Sequence, residues 1–280
     1  MIGLVVDSNS QIPDELADRY GIVVVPLTVI IDGVEYLEGF DLDADQFYSA
    51  WGDGHVPVIE ASQPSPGSFV SAYNQLIEDG ATEILSIHVT ESMSGTINAA
   101  RVASRMVDAR VRLVDSGTAS FGIACCAWAA AEAIDAGADL ETAAAVAEKR
   151  AAGLRTSFAV GVPQMVDRSG RAAGVEVEAV AAEGVPVLAM TGSDIVVLAT
   201  ATDIDTAVTA MVDDALAWPP SCNDGLRIAI GTSDSSSAPM AQALTAALSG
   251  DALVAEVVHY RIGPSIGAHT GPGTFGLFVF

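Results

Sequence analysis

The chain has 280 residues, with 36 Asp and Glu against 12 Lys and Arg, for a formal net charge of −24. Half of its residues are apolar, enough for a large core, so wholesale disorder is excluded and one or two globular domains are expected. Nucleic-acid binding and anionic membrane docking both rest on clustered cations, so neither partner is expected.

The few bases are unevenly placed. Residues 1–80 carry 14 acids and one base, 81–170 carry ten acids and eight bases, and 171–280 carry twelve acids and three bases. Lys149 is the single lysine. It sits in a helical run, and the chain lacks the G-x-x-x-x-G-K-[ST] loop of a triphosphate site. Neither a Schiff-base lysine nor a P-loop is therefore expected.

In chain order, "IGLVV" (2–6) reads as a strand, followed by the polar loop Asp7–Ser10 and a helix opening near Pro13. "GIVVVPLTVII" (21–31) reads as one second strand, and Asp32-Gly33 as a hairpin turn into "VEY". Residues 42–50 read as helix and 55–66 as loop, with Ser65 as N-cap and Pro66 as the first residue of the next helix. "EILSIHV" (83–89) and "VRLVD" (111–115) are strands. Each is followed by a Ser/Thr/Gly-rich loop and then a helix, the second helix being long and Ala-rich up to about Ala136. Three polar loops thus link a strand to a helix, and in an open α/β sheet ligands sit outside such carboxyl strand ends.

After a helix at 139–152 the pattern changes. "LRTSFAVGV", "VPVLAM", "DIVVLATA" and "GLRIAIGT" read as strands with fewer helices, and Trp218-Pro219-Pro220-Ser221 as a break. The end of the chain, from His259, reads as a Gly/Pro-rich loop leading into a last strand. The expected fold is α/β in two domains: residues 1–154 as a parallel sheet with covering helices, and residues 155–280 as a more antiparallel α+β domain.

Cys125, Cys126 and Cys222 are odd in number, and two of them are sequence neighbours, so small buried hydrophobes are expected rather than a disulfide. The first residues lack a basic n-region and meet Asp7 early. Glu132 and Asp135 interrupt the longest apolar stretch, so neither a signal peptide nor a membrane span is expected. A reducing cytoplasm follows as the expected compartment.

The candidate site residues lie on loops. Thr90-Glu91-Ser92-Met93-Ser94-Gly95-Thr96 is hydroxyl-rich and runs into a helix whose free N–H groups can bind an anion, with Ser94 the ligand-facing hydroxyl or simply a helix cap. Ala61-Ser62-Gln63-Pro64-Ser65-Pro66 is stiffened by two prolines. His269-Thr270-Gly271-Pro272-Gly273 places an imidazole beside glycines. His55, His88 and His259 show no convergent polar partners in the sequence and are read as structural. The His and Cys spacings match no metal motif, so no metal or cofactor is expected. The six carboxylates from Asp32 to Asp45 lack an EF-hand pattern and read as a solvated acidic face. Ser94 lies in S-M-S-G rather than G-x-S-x-G, and D-S-N-S follows the first strand where a dinucleotide fold would have G-x-G-x-x-G.

Six blocks in order resemble the DegV family of fatty-acid-binding proteins, which includes the acyl-carrying subunits of bacterial fatty acid kinase. They are "VVDSNSQIP", "VVPLTVIIDGVEYLEG", "ASQPSPGSFVSAY", "TESMSGTINAA", "VDSGTASFGIA" and "IGPSIGAHTGPGTFGLFVF". The resemblance spans essentially the whole chain. It implies a buried tunnel, between or beneath the domains, for one long-chain fatty acid whose carboxylate meets Ser62, Ser94 and His269. Gly95, Thr96, Arg171 and Thr270 would support the head group or a phosphate, and Phe121 and Gly122 would shape the tunnel. It also implies a non-catalytic, monomeric carrier that presents its ligand to a separate kinase subunit.

Three departures accompany the resemblance. Ala61 stands where the family often has Thr, and Ser169-Gly170-Arg171-Ala172 stands for Gly-Gly-Arg-Ile. The stretch "VVLATATDID" lacks an arginine common in the family, which bears on phosphate handling or kinase docking more than on lipid binding. The competing readings are a stand-alone enzyme of small hydroxylated or phosphorylated metabolites, with Ser94 as nucleophile and His269 as base, and a lipid sensor or store without a kinase.

Overall fold

A computed structural model describes residues 1–172, 174–192, 194–219 and 225–280. Cys222 and the second half of the Trp218–Ser221 break lie outside them. The chain divides into two compact units, Met1–Leu42 with Val58–Ala152, and Asp43–Pro57 with Gly153–Phe280. The boundary falls two residues before the sequence division at 154/155. Residues 43–57, which the sequence division leaves in the first domain, pack with the second unit.

The first unit is built on a parallel sheet of β2 (Ile22–Val25), β1 (Ile2–Asp7), β6 (Glu83–His88) and β7 (Arg110–Asp115), in that spatial order. β1 and β6 are buried almost end to end, as strands covered on both faces must be, which explains the apolar run Ile2–Val6 and the mostly apolar composition of β6. Between them come α1 (Asp14–Tyr20), the antiparallel sheet β4-β3-β5 (β3 Thr28–Ile31, β4 Val34–Leu37, β5 Ile59–Ser62) and α3 (Pro66–Glu78). α4 (Thr96–Ala103) links β6 to β7, and α5 (Phe121–Asp135) and α6 (Leu140–Ala152) follow. Phe69 and Tyr73 of α3 and Ala99, Ala100 and Ala103 of α4 pack with Val5, Val25 and Ile84. α5 lies against β1 and β6, and α6 against β6 and β7.

Three expectations need correction in this unit. The acidic run is not wholly solvated, because Glu38 is buried and accepts from the Ser8 hydroxyl at 2.5 Å. The run 21–31 is two strands in different sheets, because Pro26 has no N–H for a ladder and fixes φ, while the Leu27 N–H donates to Ser8 Oγ at 2.9 Å. Residues 59–62, read as loop, form β5 on β3, its exposed alternate positions masking the strand pattern. The Asp32-Gly33 turn, the Ser65 cap and Pro66 at the start of α3 are as read: both turn residues have positive φ, and Ser65 Oγ accepts from the Ser68 N–H at 3.1 Å.

In the second unit the sheet order is β10-β9-β8-β13-β11-β12, comprising β8 (Arg155–Ala159), β9 (Val185–Thr191), β10 (Asp194–Ala201), β11 (Leu226–Thr232), β12 (Val254–Arg261) and β13 (Phe275–Val279). Among the described residues only β11 and β12 run parallel, matching the more antiparallel expectation. Met211 of α9 (Ile204–Ala217) and Leu244 and Leu248 of α10 (Ala238–Leu248) form the main core with Val187, Ile228, Ile230 and Leu277. α7 (Pro163–Ser169) and α8 (Val177–Ala181) cover Leu188 in a smaller cluster. α2 (Ala44–Ser49), capped by Asp43, packs on α11 (Pro264–Thr270), where the Tyr48 hydroxyl donates to the Ile262 carbonyl at 3.0 Å.

α11 corrects the reading of this segment as loop. Pro264 occupies the first turn, where its missing N–H costs nothing, and Gly271 at φ +74° ends the helix. His269 and Thr270 are therefore helical. Among the described residues, no helix is long and apolar enough to cross a membrane.

Candidate functional site

β1 connects outward to β2 on one side, and β6 takes its place on the other, so the order of the parallel sheet reverses between β1 and β6. Outside the carboxyl ends of two such strands lies the crevice where ligands bind in open α/β sheets. The loop Val89–Gly95 leaves β6 at this point. Its path is held by backbone anchors: the Thr90 N–H donates to the Thr118 carbonyl at 3.0 Å, and the Glu91 N–H to Asp115 Oδ2 at 3.1 Å.

Ser94 Oγ lies 2.8 Å from Thr96 Oγ1 and accepts from the Thr96 N–H at 3.3 Å. Either hydroxyl can donate in this pair, so Ser94 offers a ligand its proton when Thr96 is the donor and a lone pair when Ser94 is. Ser94 thus braces the start of α4. Gly95 is the N-cap of α4 and makes no side-chain cap, and Gln63 of the other loop rests on its α-carbon: a Cβ there would lie 2.0 Å from Gln63 Oε1. The Ser62-Gln63-Pro64 and Ser94-Gly95-Thr96 loops therefore meet. Ser62 ends β5 opposite Thr28, is exposed, and its hydroxyl bonds to no other described residue.

In the second unit, Arg171 Nη1 is 3.3 Å from His269 Nδ1. A guanidinium has no acceptor, so Nδ1 must be the unprotonated nitrogen, and Nε2 carries the proton. Burial, and then the Arg171 charge, push the His269 pKa down to about 4. At neutral pH the ring is an uncharged hydrogen-bond donor. It is a poor general base there, which disfavours the nucleophile-and-base reading. Burial also holds the Arg171 pKa below its ordinary value. The Thr270 hydroxyl donates to the Ile266 carbonyl at 3.2 Å, so only its lone pairs remain.

The segment after α11 is held close to the end of β8. A Cβ on Gly161 would lie 1.7 Å from the Pro272 carbonyl oxygen, and the Val162 N–H donates to the Thr270 carbonyl at 3.1 Å. Arg227 and Arg261, the other bases after residue 170, are engaged by Glu256 and Asp45 at 2.9 and 2.7 Å.

Phe121 and Gly122 open α5 and are buried, Phe121 completely. Ser120 before them has φ 58° and ψ −148°, a region open almost only to glycine that costs about 1–3 kcal/mol. Its N–H donates to Asn9 Oδ1 at 3.0 Å and its hydroxyl to Gln11 Oε1 at 2.7 Å, so the turn after β1 holds it there. No local signal marks this residue in the sequence, because its strain is imposed by side chains 109 and 111 positions away. His88 is a second omission. Read as structural and unpartnered, it has polar partners on both ring nitrogens, Asp7 at 2.9 Å and Ser86 at 2.6 Å.

A surface hollow of about 410 Å³ beside α10, lined by apolar atoms of Ala238, Ala241 and Ala246 with Thr245 and His259, contains none of the candidate residues. Among the described residues, no group of three or more His, Cys, Asp or Glu is placed to hold a metal ion.

The family model described as "Uncharacterised protein, DegV family" matches residues 1–280. A DegV domain-containing protein of Streptomyces coelicolor, SCO2569, is 31% identical over 279 residues, covering 99% of this chain and 98% of the relative. A DegV family protein from Thermus thermophilus, whose structure is described by its fatty acid binding, superposes with a TM-score of 0.87 at 29% identity, covering 100% and 99% of the two chains. DegV of Bacillus subtilis, described as a fatty acid binding protein, does so with a TM-score of 0.84 at 25% identity, covering 100% and 99%.

Proposed function

This chain belongs to the DegV family, and on that premise we propose that it binds one long-chain fatty acid, with the carboxylate held by Ser62 and Ser94 of the first unit. The observation that carries the reading is the meeting of the two hydroxyl-bearing loops, Gln63 on Gly95, at the reversal point of the parallel sheet. Solved relatives of full coverage described as fatty acid binding support it. Gly95 and Thr96 support the head group there. Within the second unit, His269 is proposed as a neutral N–H donor to a head group, with Arg171 and Thr270 as supporting contacts. Phe121 and Gly122 are proposed to shape the space for the acyl chain.

The energetics suit a carrier. Each buried methylene contributes about 0.8 kcal/mol, so the chain supplies affinity, while hydrogen bonds of roughly 1.5–3 kcal/mol each orient the carboxylate. In this reading the protein is no catalyst. It is a cytoplasmic monomer that hands its bound acid to a separate kinase subunit for acyl-phosphate formation.

Native mass spectrometry of the gently purified protein tests the proposal. One fatty acid per chain is expected, and a Ser94→Ala protein should bind the same acid more weakly. A wild-type protein that carries no lipid and ignores added palmitate and oleate would refute it.

A further inference from the structure

β1 ends at Asp7 and β6 at His88, the two strands flanking the reversal of the sheet. Asp7 Oδ2 lies 2.9 Å from His88 Nδ1, His88 Nε2 lies 2.6 Å from Ser86 Oγ, and Ser86 Oγ lies 2.9 Å from the Tyr73 hydroxyl. All four side chains are at 0% exposure. The carboxylate can only accept, so Nδ1 donates to it. A neutral ring then accepts at Nε2 from Ser86, and Ser86 accepts from Tyr73. Every hydroxyl and N–H in the chain thus points towards Asp7.

Asp7 spends its remaining capacity on the backbone of two loops. Oδ1 accepts from the Asn9 N–H at 3.1 Å, and Oδ2 from the Val89 N–H at 3.1 Å, where the Val89–Gly95 loop begins. At the other end, Tyr73 belongs to α3, the helix entered from the Ser62-Gln63-Pro64 loop, and Phe69 of the same helix meets the His88 ring edge to face at 5.0 Å. The relay therefore ties together the strand end and the helix from which the two proposed head-group loops spring.

The connectivity is that of a Ser-His-Asp triad. A hydrolytic role is opposed by burial: Ser86 sits inside β6 with no solvent exposure and is already engaged by Tyr73. We propose that His88 is a positioning residue for the carboxylate site, acting through Asp7 on the Val89–Gly95 loop and through Ser86, Tyr73 and Phe69 on α3. This rests on the fatty-acid reading above. On this assignment the carboxylate-specific part of binding should respond to changes at His88.

The test compares laurate with dodecanol, ligands of equal chain length that differ in the head group, by calorimetric titration. His88→Leu should lose about tenfold in laurate affinity, the worth of roughly one charge-assisted hydrogen bond, while dodecanol affinity stays within about twofold. His88→Asn, which restores an N–H facing Asp7, should recover most of the laurate affinity. Tyr73→Phe keeps the ring and removes only the last hydroxyl, and a smaller loss confined to laurate is expected even if His88→Leu fails to fold. Equal losses for both ligands, or no loss in any variant, would overturn the assignment while leaving fatty-acid binding intact. Labelling of Ser86 by a fluorophosphonate in the native protein would overturn it in favour of a reactive triad. A wild-type protein that binds neither of these ligands nor palmitate would remove this inference together with the functional proposal.

Discussion

Gln63 lies against the α-carbon of Gly95 so closely that any side chain at position 95 must move it, a Cβ falling 2.0 Å from Oε1 and 2.8 Å from Cδ of the amide. Gly95 has φ −76°, which any residue can adopt, so glycine is required here for space and not for backbone conformation.

Gly95→Ala should therefore leave the fold nearly untouched, within about 1 kcal/mol in chemical unfolding, since an exposed amide end can swing away. It should weaken fatty-acid binding about fivefold or more, a loss of about 1 kcal/mol, because the two loops no longer seat on each other. Gln63→Ala removes the obstruction, so Gly95→Ala should cost less in that background. A strictly additive double-mutant cycle would show that the contact does not couple the loops.

His269 should make the second unit acid-sensitive. Burial, then the neighbouring Arg171, lower its pKa from 6.5 to about 4, so the unfolded chain takes up the proton first. The stability due to the neutral ring is complete above pH 6.5 and is lost as the pH falls from there towards about 4. Urea unfolding of the wild type against His269→Gln across this window should show the wild type losing ground on acidification. In Arg171→Met only the smaller cause is gone, so the ring should titrate by NMR above 4 yet still below 6.5. A wild-type ring titrating at its ordinary value would contradict the burial argument.

Cys125 and Cys126 are fully buried in α5, and burial pushes the Cys126 thiol up to about 12 despite the opposing Arg150 charge. Thiolate is the reactive form, so both should resist reagents. In a Cys222→Ser protein, Ellman's reagent at mildly alkaline pH should find no fast-reacting thiol in the native state and two after denaturation. Rapid native labelling would show that α5 opens readily.

Legibility tracked how local each cause is. β1 and β6 were readable because strands covered on both faces are mostly apolar, and β7 because Val111 and Leu113 alternate with Arg110 and Arg112. The Ser65-Pro66 start of α3 was readable because a cap and a first-turn proline act within one turn. β5 escaped because its alternate positions are exposed and only its pairing with β3 makes it a strand. α11 escaped because Pro and Gly at its ends look like loop when the turn between them is not seen.

The same division holds for the site. The acidic charge, the single lysine and the hydroxyl-rich loops at the ends of parallel strands are properties of composition and short-range pattern, and the sequence alone determined them. That Gln63 seats on Gly95, that Arg171 holds Nδ1 of His269, and that Asp7 receives His88 across 81 residues was decided only by the tertiary structure. Each of these depends on distances between residues far apart in the chain. Such distances are set by sheet order and helix packing, which no local run of side chains encodes.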